Sequence, residues 1–162
     1  MTEAIHPQTC IGHVHLKVSD LARAEAFYWD VFGFEVIARV GSEASFLSAG
    51  GYHHHIGLNT WQSREAPPAP QYSSGLYHFA ILLPTRKELA RAVQRILDHG
   101  VGLDGMSDHG VSEAIYLHDP DGNGIEIYRD RARSEWPITP DGSVGMTLEP
   151  LDLNELLAEL NS

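Results

Sequence analysis

Gly12-His13-Val14-His15-Leu16 and Tyr77-His78-Phe79-Ala80-Ile81 read as two copies of one strand opening, about 65 residues apart, each with a histidine at the same point. Around the first copy, Cys10 to Val18 alternates apolar and polar positions as a half-buried strand does, and His13 and His15 share one side. Ser19-Asp20 then supplies a helix cap. Leu21, Ala24, Phe27, Tyr28, Val31 and Phe32 recur at helical spacing up to Gly33, where a left-handed residue can stop the helix. Glu35 to Val40, Ala44 to Ser48 and His53 to Thr60 follow as three short strands, the last entered through Gly50-Gly51.

The second copy repeats that order. Leu76 to Leu83 reads as a strand, and Thr85-Arg86-Lys87-Glu88 has the form of a capping box. Leu89, Ala92, Val93, Ile96 and Leu97 make the helix's apolar stripe, which Gly100 ends. Val101 to Met106, Ser112 to His118 and Gly124 to Arg129 are the remaining strands. Asp119-Pro120-Asp121-Gly122 is a turn: proline sets one dihedral, glycine permits positive φ, and the dense oxygen-ligand spacing of a calcium loop is absent. Between the copies, Gln62 to Ser74 is a connector that Pro67, Pro68 and Pro70 keep out of regular structure.

The expected architecture is therefore α+β: two βαβββ modules, about 10–61 and 75–130, in one domain spanning 1–130. A four-stranded sheet with one face covered is incomplete alone, so the modules are expected to pair into an open, barrel-like cleft. Residues 131–162 form a C-terminal extension outside the repeat. Within it, Asp152 to Leu160 reads as a short acidic helix that covers the barrel or contacts a second subunit.

Composition narrows the function classes. The chain has 162 residues, 43% of them apolar and 20% charged, which fits an ordinary globular core. A net charge of −11 opposes binding to nucleic acid or an anionic membrane surface. The single cysteine, Cys10, cannot form an internal disulfide, and no basic-then-apolar leader or membrane-length apolar run is present, so a cytoplasmic location is expected. The ten histidines invite a metal or proton-transfer reading. If the modules pair, His13, His78 and Glu126 can meet on one cation. Two imidazoles and a carboxylate with an open face suit ferrous iron. An unpaired Glu126 in so apolar a strand would be costly, and a divalent ion offsets that cost.

These motifs resemble the vicinal oxygen chelate superfamily, which includes glyoxalase I, antibiotic-resistance proteins and type I extradiol ring-cleavage dioxygenases. The resemblance rests on His13 with Leu16-Lys17-Val18-Ser19-Asp20-Leu21, on Phe27-Tyr28, on His78, and on Asp119-Pro120-Asp121-Gly122 with Glu126. It implies His13, His78 and Glu126 as metal ligands, with Fe(II) as cofactor and Mn(II) as a possible substitute. Glyoxalase I carries a fourth ligand near the end of its first module, where this chain aligns Gly57, so the extradiol dioxygenases are the better match. That match nominates His54 as acid-base residue, because His54-His55-Ile56-Gly57-Leu58 resembles their run. Strand parity instead puts His53 and His55 on the face of Gly57, so His55 is kept beside His54. His109 and Tyr116 resemble the family's histidine and tyrosine that contact substrate and oxygen, although alternation with Ile115 and Leu117 also allows Tyr116 a plain packing role. His6, His99 and His118 read as surface residues.

The reading that results is a metal-dependent extradiol-type dioxygenase. It would take a catecholic substrate and dioxygen, with a homodimer possible. The alternatives are a glyoxalase-like isomerase or lyase acting on a chelating carbonyl substrate, and a non-catalytic small-molecule binder.

Overall fold

The computed structural model describes residues 4–70 and 72–161; Gln71 of the connector and the extreme residues of the chain lie outside them. Module one contains β1 (Val14–Lys17), α1 (Leu21–Phe27), β2 (Glu35–Val40), β3 (Ala44–Ser48) and β4 (Ile56–Asn59). Module two contains β5 (Phe79–Leu82), α2 (Arg86–Asp98), β6 (Gly105–Asp108), β7 (Ser112–His118) and β8 (Gly124–Asp130). The extension adds α3 (Leu153–Ala158).

Each module folds its strands into one sheet, ordered β1-β4-β3-β2 and β5-β8-β7-β6, with its first and last strands parallel. The registers are equivalent. Val14 pairs with Ile56 and Phe79 with Ile125, so His13 and His78, each one residue earlier, occupy the same place in their modules. No strand of one sheet pairs with a strand of the other among the described residues, so the sheets do not close into a barrel.

The caps act as their chemistry requires. Asp20 accepts from the Arg23 amide at the start of α1, Thr85 from the Glu88 amide at the start of α2, and Asp152 from the Asn154 and Glu155 amides at the start of α3. After Phe27 the first helix widens into a π turn, Tyr28–Phe32, which Gly33 ends at φ +78°. Alternation places Leu16 of β1 in the core and leaves His15 and Lys17 exposed. One apolar cluster takes Leu16, Tyr28 and Ile56 from module one, Val93, Ile115 and Ile127 from module two, and Leu151 and Leu156 from the extension. The acidic helix α3 packs against α2, the helical side of module two.

A polar joint links the modules. Tyr28 is fully buried, and its hydroxyl donates to Asp119 Oδ2 at 2.9 Å. Burial, then the negative charge of Asp119, drives its pKa far above the ordinary phenol value. Asp119 also accepts from the Asp121 and Asn123 amides, and Asp121 accepts from the Ser19 amide at 2.9 Å, the Ser19 hydroxyl at 2.6 Å and Arg23 at 2.9 Å. The turn before β8 therefore fastens to the far end of β1. On the other side of module two, Glu113 is 3% exposed and faces Arg86 at 3.0 Å, Arg129 at 2.7 Å and Arg131 at 3.3 Å. A carboxylate that deep costs several kcal/mol unless paired, and three guanidinium groups pair it.

Candidate active site

Glu126 leaves β8 on the sheet face opposite the core, between Ala80 of β5 and Tyr116 of β7 in register. His78 stands just ahead of β5, beside the start of β8. A Cβ on Gly124 would sit 2.2 Å from the Tyr77 carbonyl oxygen, so only glycine lets the Tyr77–His78 backbone lie this close to β8. His78 Nε2 is then 2.9 Å from Glu126 Oε2. Two atoms held about 2.1 Å from one cation and at right angles to it are about 3.0 Å apart, so this spacing fits a pair of neighbouring metal ligands. His78 Nδ1 is buried without a hydrogen-bond partner. Glu126, which only accepts, holds the proton on Nε2 in the ion-free site, and a cation taken by Nε2 would move that proton to Nδ1.

The network continues inward. The Tyr116 hydroxyl is 3.4 Å from Glu126 Oε1 and 2.7 Å from His109 Nε2, and His109 Nδ1 is 2.9 Å from the Thr147 carbonyl oxygen. The Tyr116 pKa is pushed up to about 12, first by burial and then by the charge on Glu126 and its hydrogen bond, so the phenol stays protonated. His78, Glu126, Tyr116 and His109, all nominated by the sequence, are thus brought into one line of contacts.

The other nominated residues lie in module one. His13 is at the opposite end of β1 from the Ser19–Asp121 joint, about 20 Å of extended chain away. Its ring packs on His54 with centroids 4.3 Å apart and lies 6.3 Å from His53. Among the described residues no three His, Cys, Asp or Glu side chains converge as a metal site, so His13 does not join His78 and Glu126 within the chain as it stands.

The strand expected from His53 begins only at Ile56, so parity does not govern His53 to His55. His54 packs between His13 and Phe46. His54 is held below the usual imidazole range by partial burial and by the neighbouring His13, His53 and His15. His55 Nδ1 instead lies 3.3 Å from both the Ser48 hydroxyl and the Ala49 amide. Gly57 pairs with His15 and Phe46 in the register that Glu126 occupies in module two, so that position carries no carboxylate. A cavity of about 270 Å³ lies elsewhere, between β1, the connector and the turn before β8; His15, Lys17, Pro67, Leu76 and Asn123 are among its walls, and His78 and Glu126 are not.

Sequence reasoning passed over two contributors. Gly124 read as an ordinary strand residue, although a glycine opening a strand is itself a sign of close backbone approach. Thr147 acts through its main-chain carbonyl, which no side-chain pattern announces.

The family model of the Glyoxalase/Bleomycin resistance protein/Dioxygenase superfamily matches residues 10–127, and the chain belongs to that superfamily. It is 43% identical over 157 residues to catechol-2,3-dioxygenase of Bacillus subtilis (strain 168), covering 96% of this chain and 54% of that enzyme. It is 28% identical over 120 residues to biphenyl-2,3-diol 1,2-dioxygenase 3 of Rhodococcus globerulus, covering 74% of this chain and 63% of that enzyme. The chain therefore spans between one half and two thirds of the length of these relatives. Among solved structures, lactoylglutathione lyase from Agrobacterium tumefaciens superposes with a TM-score of 0.61 at 25% identity, over 76% of this chain and 96% of that one.

Proposed function

We propose that this chain is an extradiol-type dioxygenase unit that cleaves a catecholic ring, with Fe(II) as its ion, Mn(II) as a functional substitute, and His78 and Glu126 as ligands. The observation that carries this reading is the continuous line from the His78–Glu126 pair through Tyr116 to His109. It sets a ligand pair beside a neutral proton donor and an imidazole. When bound, Fe(II) supplies Lewis acidity toward the two catechol hydroxyls and an electronic route from the ring to dioxygen.

The protein's own part is positioning and proton handling. His78 Nε2 and Glu126 Oε2, hydrogen-bonded at 2.9 Å without an ion, would each offer one lone pair to a cation that displaces the shared proton, leaving room for substrate and oxygen. Tyr116, kept neutral beside a carboxylate, rests with its one proton toward His109 Nε2 and can turn it toward negative charge that develops beside Glu126. His109 Nε2, 2.7 Å from that hydroxyl, passes a proton in or out through the phenol. Of the module-one histidines, His54 is the better additional base, since His55 is engaged by Ser48 and Ala49. A glyoxalase-like isomerase would need a carboxylate where Gly57 stands, which disfavours that chemistry.

The test is anaerobic reconstitution with Fe(II) or Mn(II), followed by 4-substituted catechols in an oxygen electrode. One dioxygen consumed per catechol, with a yellow ring-opened product, is the expected result. Absence of oxygen uptake across the catechol panel with either ion overturns the reading.

A further inference from the structure

We infer that the segment from Pro137 to Glu149, beyond the part of the chain that matches the superfamily, is a clamp that sets the tautomer of His109 and so the direction of the Tyr116 proton. The segment begins as a small hairpin. The Thr139 amide donates to Ser143 O at 2.9 Å and the Gly145 amide to Pro137 O at 2.8 Å, around Gly142 at φ +84°. It then runs along the turn that joins β6 to β7. The Asp108 amide donates to Glu149 O at 2.8 Å, the Glu149 amide to Asp108 O at 3.0 Å, the Thr147 amide to His109 O at 3.0 Å, and the Thr147 hydroxyl to Asp108 O at 3.1 Å.

These four bonds hold the Thr147 carbonyl 2.9 Å from His109 Nδ1. A carbonyl oxygen only accepts, so Nδ1 carries the proton. The neutral ring has one N–H, so Nε2 is a bare lone pair and takes the Tyr116 hydroxyl proton at 2.7 Å. His109 is only 8% exposed, which leaves water little room to replace Thr147. The packing is as close as the hydrogen bonding: Gly110 sits at φ +74°, and a Cβ there would lie 2.8 Å from Pro137 Cγ and 3.2 Å from Thr147 Oγ1.

With the opposite tautomer, N–H and O–H would face each other, and Tyr116 would turn its proton to Glu126 Oε1 at 3.4 Å. The clamp thus keeps the Tyr116 proton on the His109 side and leaves Glu126 its lone pairs for a cation. Thr147 is a positioning residue. Its catalytic meaning rests on the proposed dioxygenase reading; the tautomer does not.

The experiment is nitrogen NMR of the His109 ring in metal-free, histidine-labelled protein at mildly alkaline pH. The wild type should show a protonated Nδ1 and an unprotonated, pyridine-type Nε2. Thr147→Pro, which loses the amide bond to His109, should give mixed tautomers, whereas Thr147→Ala, which keeps both main-chain groups, should not. Gly110→Ala, which pushes Pro137 and Thr147 away by its own Cβ, tests the same point by another route if Thr147→Pro does not fold. In the loaded enzyme, Thr147→Pro should lower kcat about tenfold with little change in KM. A wild-type ring protonated on Nε2, or an unchanged tautomer in either folded disruptive variant, overturns the clamp. Failure of the wild type to consume oxygen would count against the proposed reaction and leave the tautomer result standing.

Discussion

Modules one and two share strand order, register and the placement of a leading histidine, yet they differ along one row of the sheet. In module two that row runs Ala80, Glu126, Tyr116; in module one it runs His15, Gly57, Phe46. Carboxylate and phenol have become hydrogen and phenyl, while a methyl has become an imidazole. Because these positions point away from the core, they can change without disturbing the packing that sets the register. The backbone plan is common to the two modules, and the chemistry is particular to one.

The sharpest way to break this comparison is to remove the two equivalent histidines in turn. His78→Ala should weaken retention of Fe(II) or Mn(II) by more than about 100-fold, read as metal content against a graded chelator. His13→Ala should change it by less than about threefold, because His13 packs with His54 and not with Glu126. Equal losses would mean that His13 reaches the same ion by another route, such as a second copy of the chain.

A moderate effect is expected at the joint. Tyr28→Phe leaves Asp119 Oδ2 short of one buried hydrogen bond and should cost about 1–3 kcal/mol in urea unfolding. Unchanged stability would show that the Tyr28–Asp119 bond adds nothing to the joint beyond the Ser19 and Arg23 contacts with Asp121 and the apolar packing.

The smallest effect is a pH window. Tyr116 titrates near 10 when unfolded and is pushed up to about 12 in the fold. Between those values the unfolded chain loses a proton that the folded chain keeps. The stability tied to the neutral phenol is therefore complete below pH 10 and lost as pH rises through about 12. Tyr116→Phe should flatten this part of the urea midpoint profile. Tyr28 and Tyr128 are shifted in the same direction but are present in both proteins, so the difference isolates Tyr116.

Much of the fold was legible because its signals are local. Glu35–Val40, Ala44–Ser48 and Ser112–His118 are strands where alternation and turn residues place them, and Thr85 caps α2 as its motif requires. The first strands are shorter than expected. Residues 10–13 and 76–78 continue the alternation, but ladder pairing begins only at Val14 and Phe79. Strand β6 is displaced from Val101–Met106 to Gly105–Asp108. The Val101 amide closes back on Ile96 O after α2, and Asp108 gains Glu149 of the extension as a further partner. The line from His78 to His109 could be anticipated because its members are ligand and proton-transfer residue types at cross-strand positions. Whether His13 reaches it depends on how the modules are fastened, and that is decided by Tyr28 and Ser19 meeting Asp119 and Asp121, contacts between residues far apart in sequence.

The parallel pairing of β1 with β4 and of β5 with β8 also shapes how the chain is made. On the ribosome each opening strand emerges roughly forty residues before the strand it pairs with, and its edge stays unsatisfied through that delay. Two waiting edges of like pattern on one nascent polypeptide invite cross-pairing of β1 with β8 or of β5 with β4. The connector between β4 and β5 lets the last strand of the first sheet emerge before the second edge appears.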